Sequence, residues 1–333
     1  MSAREAPVRV GVLGCGGVAM RRMLPAMART PCVAVAAVAS RQRARAESAA
    51  ARFGAEPVHG YERLLAREDI TAVYVPLPPG LHAEWTARAL RAGKHVLVEK
   101  PMTTTAHQAR ELAALAEERR AVLMESFMFL HHSQHAAVAQ LVDRGAIGQL
   151  RSVTAEFGFP PLPAGDIRYR PDLGGGALLD AGVYTLRASS LLLRAVPAVL
   201  GAQLSVDPGT GVDVSGHALL AGAGGAVSHV SFGFRHAYRC VYTLWGSTGS
   251  LVLDRAFTPA PEHRPVVRVR RQDGAEEEVR LPADDQFART AERFAALVRG
   301  AGDPAAERSA AVGQAELVDA VRTAAGRARG GVG

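Results

Sequence analysis

No stretch of this chain constrains its fold more than residues 8–19. Val8-Arg9-Val10-Gly11-Val12-Leu13 is mostly apolar and β-branched, the composition of a strand buried on both faces of a parallel sheet. It runs directly into Gly14-Cys15-Gly16-Gly17-Val18-Ala19, and helical periodicity follows over 18–28. The run fits G-x-G-x-x-G/A, whose glycines allow a tight turn and a close backbone approach to a pyrophosphate at a helix start. A glycine fingerprint by itself is weak. One that leaves a strand and opens a helix is the first βαβ unit of a dinucleotide-binding domain. Gly14, Cys15, Gly16, Gly17, Val18 and Ala19 are therefore candidate cofactor-binding residues.

The same alternation continues. Apolar runs at 33–39, 72–77, 95–98 and 122–125 are separated by helical stretches, among them 83–92 and 106–119. This is the pattern of a doubly wound parallel sheet, and it predicts an N-terminal Rossmann domain over 1–126. Past 127 the pattern changes. A helix over 134–144 is followed by strands at 150–157, 227–234, 240–245 and 266–270, with Gly246, Gly249 and Asp273-Gly274 supplying turns. Residues 127–333 thus read as a C-terminal α+β domain with a largely antiparallel open sheet, giving an α/β chain overall. Helices are expected at 284–300 and 309–327, and the Gly-Gly-Val-Gly tail at 330–333 is expected to fray.

At 333 residues and 48% apolar, the chain is long for one core, and two packed domains are the natural expectation. Residues 1–7 lack the features of an export leader, and no run of 18 or more apolar residues is uninterrupted; a cytoplasmic protein with no membrane span is expected. Cys15, Cys32 and Cys240 lack metal-ligand spacing and suit a reducing compartment. The formal charge of +7 comes from arginines scattered among Glu and Asp rather than gathered with aromatics, which argues against nucleic acid. Some of this charge suits anionic small molecules, and most of it reads as solvated surface.

The end of the second strand separates NAD from NADP, because an acidic residue there holds the ribose 2′-hydroxyl and repels a 2′-phosphate. This chain has Ala39-Ser40-Arg41 instead, a hydrogen-bond donor and a guanidinium fork, which favours NADP(H). Arg43 and Arg45 read equally as solvated helix residues. Arg21 and Arg22, one turn into the first helix, are either contacts to the adenosine end or surface cations. Leu77, Pro78 and His82 around the end of the third strand, and Glu99 and Lys100 after the fourth, complete the candidate cofactor residues.

Lys100 follows Glu99 at a strand end, where a side chain projects from the carboxyl edge of the sheet toward a bound ligand. Farther along, Leu173-Gly174-Gly175-Gly176 leads into Asp180-Ala181-Gly182-Val183-Tyr184, where Asp180 and Tyr184 are i,i+4 neighbours on one helix face. The fingerprint, Glu99-Lys100-Pro101 and Asp180-x-Gly182-x-Tyr184 together resemble the Gfo/Idh/MocA oxidoreductase family through nearly the whole chain. Within it the chain is most similar to the sugar 3-ketoreductases, through Pro78-Pro79-Gly80-Leu81-His82, Phe127-Met128-Phe129-Leu130-His131-His132 and Ile167-Arg168-Tyr169-Arg170-Pro171. The resemblance implies reduction of the 3-keto group of a dTDP-linked 3,4-diketo-2,6-dideoxyhexose in deoxysugar biosynthesis. It also implies a cis bond before Pro101. Tyr184 stands where many members carry His, and Gly80 lies near a position where many carry Asn; both departures match the ketoreductase branch.

A ketone reduction needs a hydride and a proton for the developing alkoxide. Tyr184 is the candidate donor. A phenol with a pKa of about 10 needs a cation to stabilise its phenolate, a task Lys100 can perform while polarising the carbonyl. The alternative for Tyr184 is a packed helix tyrosine tied to a backbone carbonyl. Glu99 and Asp180 read either as supports for Lys100 and the pocket or as satisfied structural carboxylates. Phe129, Arg168, Tyr169, Arg170, Asp180, Tyr238 and Arg239, with Lys100 and Tyr184, are candidate substrate-binding residues for a sugar carrying a diphosphate and a base. His131, His132 and His135 lack a completing ligand, so no metal is expected. The competing functions are an NADP-dependent dehydrogenase of a free, xylose-like sugar or of a dihydrodiol, and a non-catalytic NADP-binding regulator. An uncovered sheet face in the second domain predicts a homodimer or homotetramer formed across it.

Overall fold

A computed structural model describes residues 6–330; the fraying expected of the tail concerns residues 331–333, outside that range, as do residues 1–5 of the leader reading. Among the described residues the chain forms two sheets. The first holds β1 (Val8–Leu13), β2 (Val33–Ser40), β3 (Glu56–His59), β4 (Ala72–Val75), β5 (His95–Glu99) and β6 (Leu123–Ser126), in the order β3-β2-β1-β4-β5-β6. Every pairing is parallel. The winding reverses between β1 and β4, which puts the ligand crevice beyond the carboxyl ends of those strands. Residues such as Val10, Val12, Val73, Tyr74, Val96 and Val98 are fully buried, the burial on both faces that their apolar runs implied. β3 escapes the sequence pattern because it is a short, polar edge strand containing Pro57.

The helix after the glycine turn begins irregularly. Ala19–Met23 is a π turn and only Leu24–Arg29 is α-helical. Pro25 has no N–H to offer the Arg21 carbonyl, so the hydrogen-bond register slips there.

The second sheet holds β7 (Leu150–Gly158), β8 (Ala198–Val206), β9 (Asp213–Ala221), β10 (Val227–Gly233), β11 (Arg239–Gly246), β12 (Gly249–Asp254), β13 (Val266–Arg271) and β14 (Glu276–Arg280). Their order is β14-β13-β12-β11-β7-β10-β9-β8. Only β7 and β10 pair in parallel; the other neighbours are antiparallel. The inward face carries Val153, Ala155, Phe157, Val230, Phe232, Tyr242 and Leu244, all buried. The outward face carries Thr154, Thr243, His217, His229 and Ser231 with the exposed Trp245. That face is mixed, not the apolar surface on which the oligomer expectation rested. β14 is an edge strand whose glutamates stand opposite the arginines of β13 in register, Glu276 with Arg270 and Glu278 with Arg268. Such a charged strand has no apolar alternation to reveal it.

Two compact units emerge. One comprises the residues up to Met128 together with Gln286–Val312, the other Phe129–Asp285 together with the residues from Gly313 on. This differs from an uninterrupted second domain over 127–333. The helix Gln286–Val298 buries Phe287, Ala291 and Phe294 and packs against β2 and the Leu24–Arg29 helix of the first unit. Its apolar stripe is legible in sequence, but the surface that receives it is not.

Candidate active site

In the first unit the glycine turn has the geometry its pattern requires. Gly14 has φ +111°, a left-handed conformation in which a side chain is strained, and a Cβ there would lie 2.9 Å from the Leu77 side chain. A Cβ at Gly16 would come within 2.7 Å of the Pro76 carbonyl oxygen, so the turns after β1 and β4 approach through glycine alone. Arg21 folds back over the turn: a side chain at Gly17 would meet its guanidinium at 2.9 Å. Arg22 is exposed, as is Val18, whereas Ala19 is buried beneath the helix start. The Cys15 thiol points to the Arg45 carbonyl at 3.6 Å, and burial pushes its pKa up. The turn therefore has the close-approach geometry of a dinucleotide-binding turn, with the Arg21 guanidinium beside it.

At the end of β2, the buried Ser40 hydroxyl accepts from the Gln42 N–H at 3.1 Å and closes a turn that presents Arg41. His59 reaches the Arg41 carbonyl at 3.1 Å. Burial raises the Tyr61 phenol pKa, opposed by the Arg41 charge and hydrogen bond. Tyr61 in turn stacks edge-on against Trp85, ring centroids 4.8 Å apart. No acidic residue stands at this strand end. Tyr61 was not anticipated from sequence, since its helix lies beyond the unrecognised β3.

Beyond β5, the Lys100–Pro101 bond is cis. Glu99 is buried and accepts from the Tyr74 hydroxyl at 2.5 Å; burial pushes its carboxyl above the usual range, against that bond and the Lys100 charge. Its partner is Tyr74 of the neighbouring strand, the arrangement of a satisfied structural carboxylate. His82 is 1% exposed, with Nδ1 2.7 Å from the Pro101 carbonyl oxygen and Nε2 2.6 Å from that of Leu77. Both ring nitrogens face main-chain carbonyls, and the neutral ring has one N–H to donate to them.

In the second unit, Leu178–Gly182 is a π turn that leads into the α-helix Val183–Leu193. Asp180 lies in the π turn and Tyr184 in the α-helix that follows it. Asp180 is partly exposed and takes a 2.6 Å bond from Arg168 Nε, whereas Tyr184 is 4% exposed. The Tyr184 ring lies among Phe157 (centroids 5.2 Å, edge-on), Phe129 and Phe257 (each 5.9 Å). Phe129 is fully buried and packs on Tyr184. Phe157 and Phe257 come from distant strands and loops and carry no sequence signal for this role.

The arginine candidates are largely spoken for. Arg168 also donates from Nη1 to Asp166 at 3.1 Å; burial works against its charge, and Asp180 and Asp166 more than offset it. Arg170 pairs with Asp172 on the surface, and Arg239 with Glu156. The Tyr169 hydroxyl accepts from the Leu162 N–H at 3.1 Å. Tyr238 is exposed and lies under the Arg255 guanidinium at 4.8 Å. Asp213, 35 residues from its partner, accepts from the Leu178 N–H at 2.6 Å and anchors the glycine loop, and a Cβ at Gly176 (φ +117°) would run into its carboxylate. His132 caps the Ser133–Asp143 helix through the Gln134 N–H at 3.1 Å, and His135 faces the Tyr242 hydroxyl at 3.0 Å.

A parallel sheet of this order with a glycine turn at its switch point defines a dinucleotide-dependent oxidoreductase. Two family models match: "Oxidoreductase family, NAD-binding Rossmann fold" over residues 8–127, and "GFO/IDH/MocA C-terminal domain" over residues 135–252. The chain belongs to the Gfo/Idh/MocA oxidoreductase family. It is 52% identical, over 97% of each chain, to a dTDP-3,4-didehydro-2,6-dideoxy-alpha-D-glucose 3-reductase of Actinomadura kijaniata. It is 34% identical to a D-xylose 1-dehydrogenase (NADP(+)) of Haloferax volcanii, over 93% of this chain and 95% of the relative. Among solved structures, the 3-ketoreductase KijD10 of Actinomadura kijaniata, in complex with NADP and TDP-benzene, superposes with a TM-score of 0.93, 52% identity and coverage of 96% and 98%.

Proposed function

We propose that this chain is an NADPH-dependent reductase of the C3 keto group of a dTDP-linked 3,4-diketo-2,6-dideoxyhexose. One observation carries the reading: near-full-length 52% identity to a reductase of that name, in a chain with a lysine after β5 and a tyrosine in the Val183–Leu193 helix. When bound, NADPH supplies the hydride. The backbone of Gly14–Ala19, with Arg21, receives the pyrophosphate, and Ser40 and Arg41 hold the 2′-phosphate. Lys100 places a positive charge at the carbonyl oxygen as negative charge develops there, and Tyr184 donates the proton to the resulting alkoxide. Packing by Phe129, Phe157 and Phe257 limits the rotation of the Tyr184 ring, which lowers the entropy lost in reaching a productive pose.

The test is NADPH consumption with the dTDP-linked diketohexose generated in place, beside xylose with NADP. Turnover of the dTDP sugar alone supports the reading; turnover of xylose alone replaces it with a free-sugar dehydrogenase. A cytosolic setting and a homodimer or homotetramer across the outward face of the second sheet belong to the same proposal, and a monomer in size-exclusion chromatography would remove the oligomer. Among the described residues no helix is long and apolar enough to cross a membrane.

A further inference from the structure

Lys100 is held at the end of β5 by main chain pinned on both sides. Before it, the Glu99 carboxylate is tied to Tyr74 of β4. After it, the Met102 N–H donates to Glu125 of β6 at 2.7 Å. The carbonyl between them, that of Pro101, faces Nδ1 of His82 at 2.7 Å. His82 lies one turn into the helix Pro79–Arg91, and its other nitrogen faces the Leu77 carbonyl at 2.6 Å. One imidazole thus spans the loops that follow β4 and β5, of which one carries Lys100 and the other presses Leu77 against Gly14.

Packing does not call for a histidine here. The helix already buries Ala89 and Leu90, and β5 buries Val96, Leu97 and Val98. A fully buried imidazole between two carbonyls, only one of which its neutral form can serve as donor, carries a desolvation cost that an apolar residue of similar size avoids. Polar groups of this kind restrict geometry more than they stabilise a fold. Burial, together with the Lys100 charge, also pushes the ring toward its neutral form, with a pKa of about 4, against the pull of both carbonyls. The brace is directed at loop backbone, where apolar packing is least able to set a position.

We propose that His82 is a positioning residue for Lys100: its neutral ring, protonated on Nδ1, donates to the Pro101 carbonyl and so holds the lysine at its working position. This rests on the reading of Lys100 as the group that acts on the carbonyl oxygen. A supporting shell matters because a displacement of about 1 Å at a reacting group can cost about 100-fold in rate.

The two arms can be separated. In His82→Asn the side-chain amide nitrogen takes the place of Nδ1 and keeps the bond to Pro101; in His82→Gln it takes the place of Nε2, reaches only toward Leu77 and loses the Pro101 bond. The experiment measures kcat, KM and NADPH affinity for both variants, for Lys100→Ala, and for His82→Gln combined with Lys100→Ala. Expected are a kcat loss of about tenfold or more in H82Q with NADPH affinity within about threefold, and rescue to within about threefold of the parent in H82N. In the Lys100→Ala background H82Q should add less than about twofold, because the brace acts through the lysine. Equal loss in both His82 variants, or an undiminished H82Q effect without Lys100, would overturn the inference and assign His82 to packing. A folded H82Q with unchanged kcat, beside an impaired Lys100→Ala, overturns the inference and spares the role of Lys100. An unimpaired Lys100→Ala overturns both. If H82Q does not fold, H82N decides by itself: a loss beyond about tenfold while the Pro101 bond is retained is the failing result.

Discussion

In the first unit the candidate dinucleotide turn is built from backbone, and in the second the candidate proton donor is held by side chains gathered from far apart. The dinucleotide turn is a contiguous run, Gly14–Ala19, whose function depends on a positive φ and on the lack of a side chain facing Pro76. Tyr184, by contrast, is held by Phe129, Phe157 and Phe257, and the loop before its helix is fastened by Asp213 and by the Arg168 fork. A backbone site tolerates little variation at the glycines and much around them. A site built from packed rings distributes its demands over many positions, so no short motif announces it. The difference also predicts how each end fails: locally and selectively in the first unit, through rate or stability in the second.

The largest effect is expected at Tyr184. Tyr184→Phe keeps the ring among its aromatic neighbours and removes only the proton donor, so kcat should fall about 100-fold or more while NADPH affinity and thermal stability hold. A rate near that of the parent would move proton donation to Lys100 or water. It would also leave the aromatic cluster with a packing role only.

A smaller and more selective effect is expected at the other end. Arg41→Asp removes a charge-assisted bond and adds repulsion, so NADP binding measured by titration should weaken at least tenfold, about 1.5–3 kcal/mol, with NAD changed far less. Equal weakening of both cofactors would mean that Arg41 serves the fold of the Ser40 turn and not the 2′-phosphate.

The smallest effect concerns the polar layer beneath Phe129. Burial pushes the His135 pKa down to about 3 from an ordinary value of 6.5. As pH falls below 6.5 the unfolded chain takes up a proton that the folded chain refuses. This contribution to stability is therefore complete above 6.5 and is lost progressively between there and about 3. The loss is at most about 1.4 kcal/mol per pH unit. Denaturant titrations at pH 7 and pH 5.5 should show a smaller acid loss in His135→Gln than in the parent. Identical slopes would show that other groups, such as His82, set the acid response.

Much of the first unit was legible without coordinates. β1 spans the residues its apolar run indicated, and the glycine turn, Ser40-Arg41 and the lysine after β5 all follow from local pattern, because a buried parallel strand and a tight turn leave continuous marks. β3 and β14 were not legible: edge strands need no apolar face, and a polar tetrapeptide or a run of glutamates reads as loop. β8, β9 and β12 were likewise unanticipated. The arginines near the glycine loop were correctly seen as a charged cluster but not as one already neutralised by Asp166, Asp172 and Asp180, since pairing depends on rotamers and loop shape.

By itself the sequence determined the order of the buried parallel strands of the first unit, the glycine turn, and the absence of an acid at the end of β2. These are properties of neighbours along the chain, set by steric limits on φ and ψ and by the periodicity of burial. Only the tertiary structure decided that His82 sits between carbonyls 5 and 19 residues away, that Asp213 accepts from a helix N–H 35 residues upstream, and that Phe257 reaches Tyr184. A hydrogen bond or ring contact between distant segments requires the whole chain to close around it, and such closure leaves no mark on local composition.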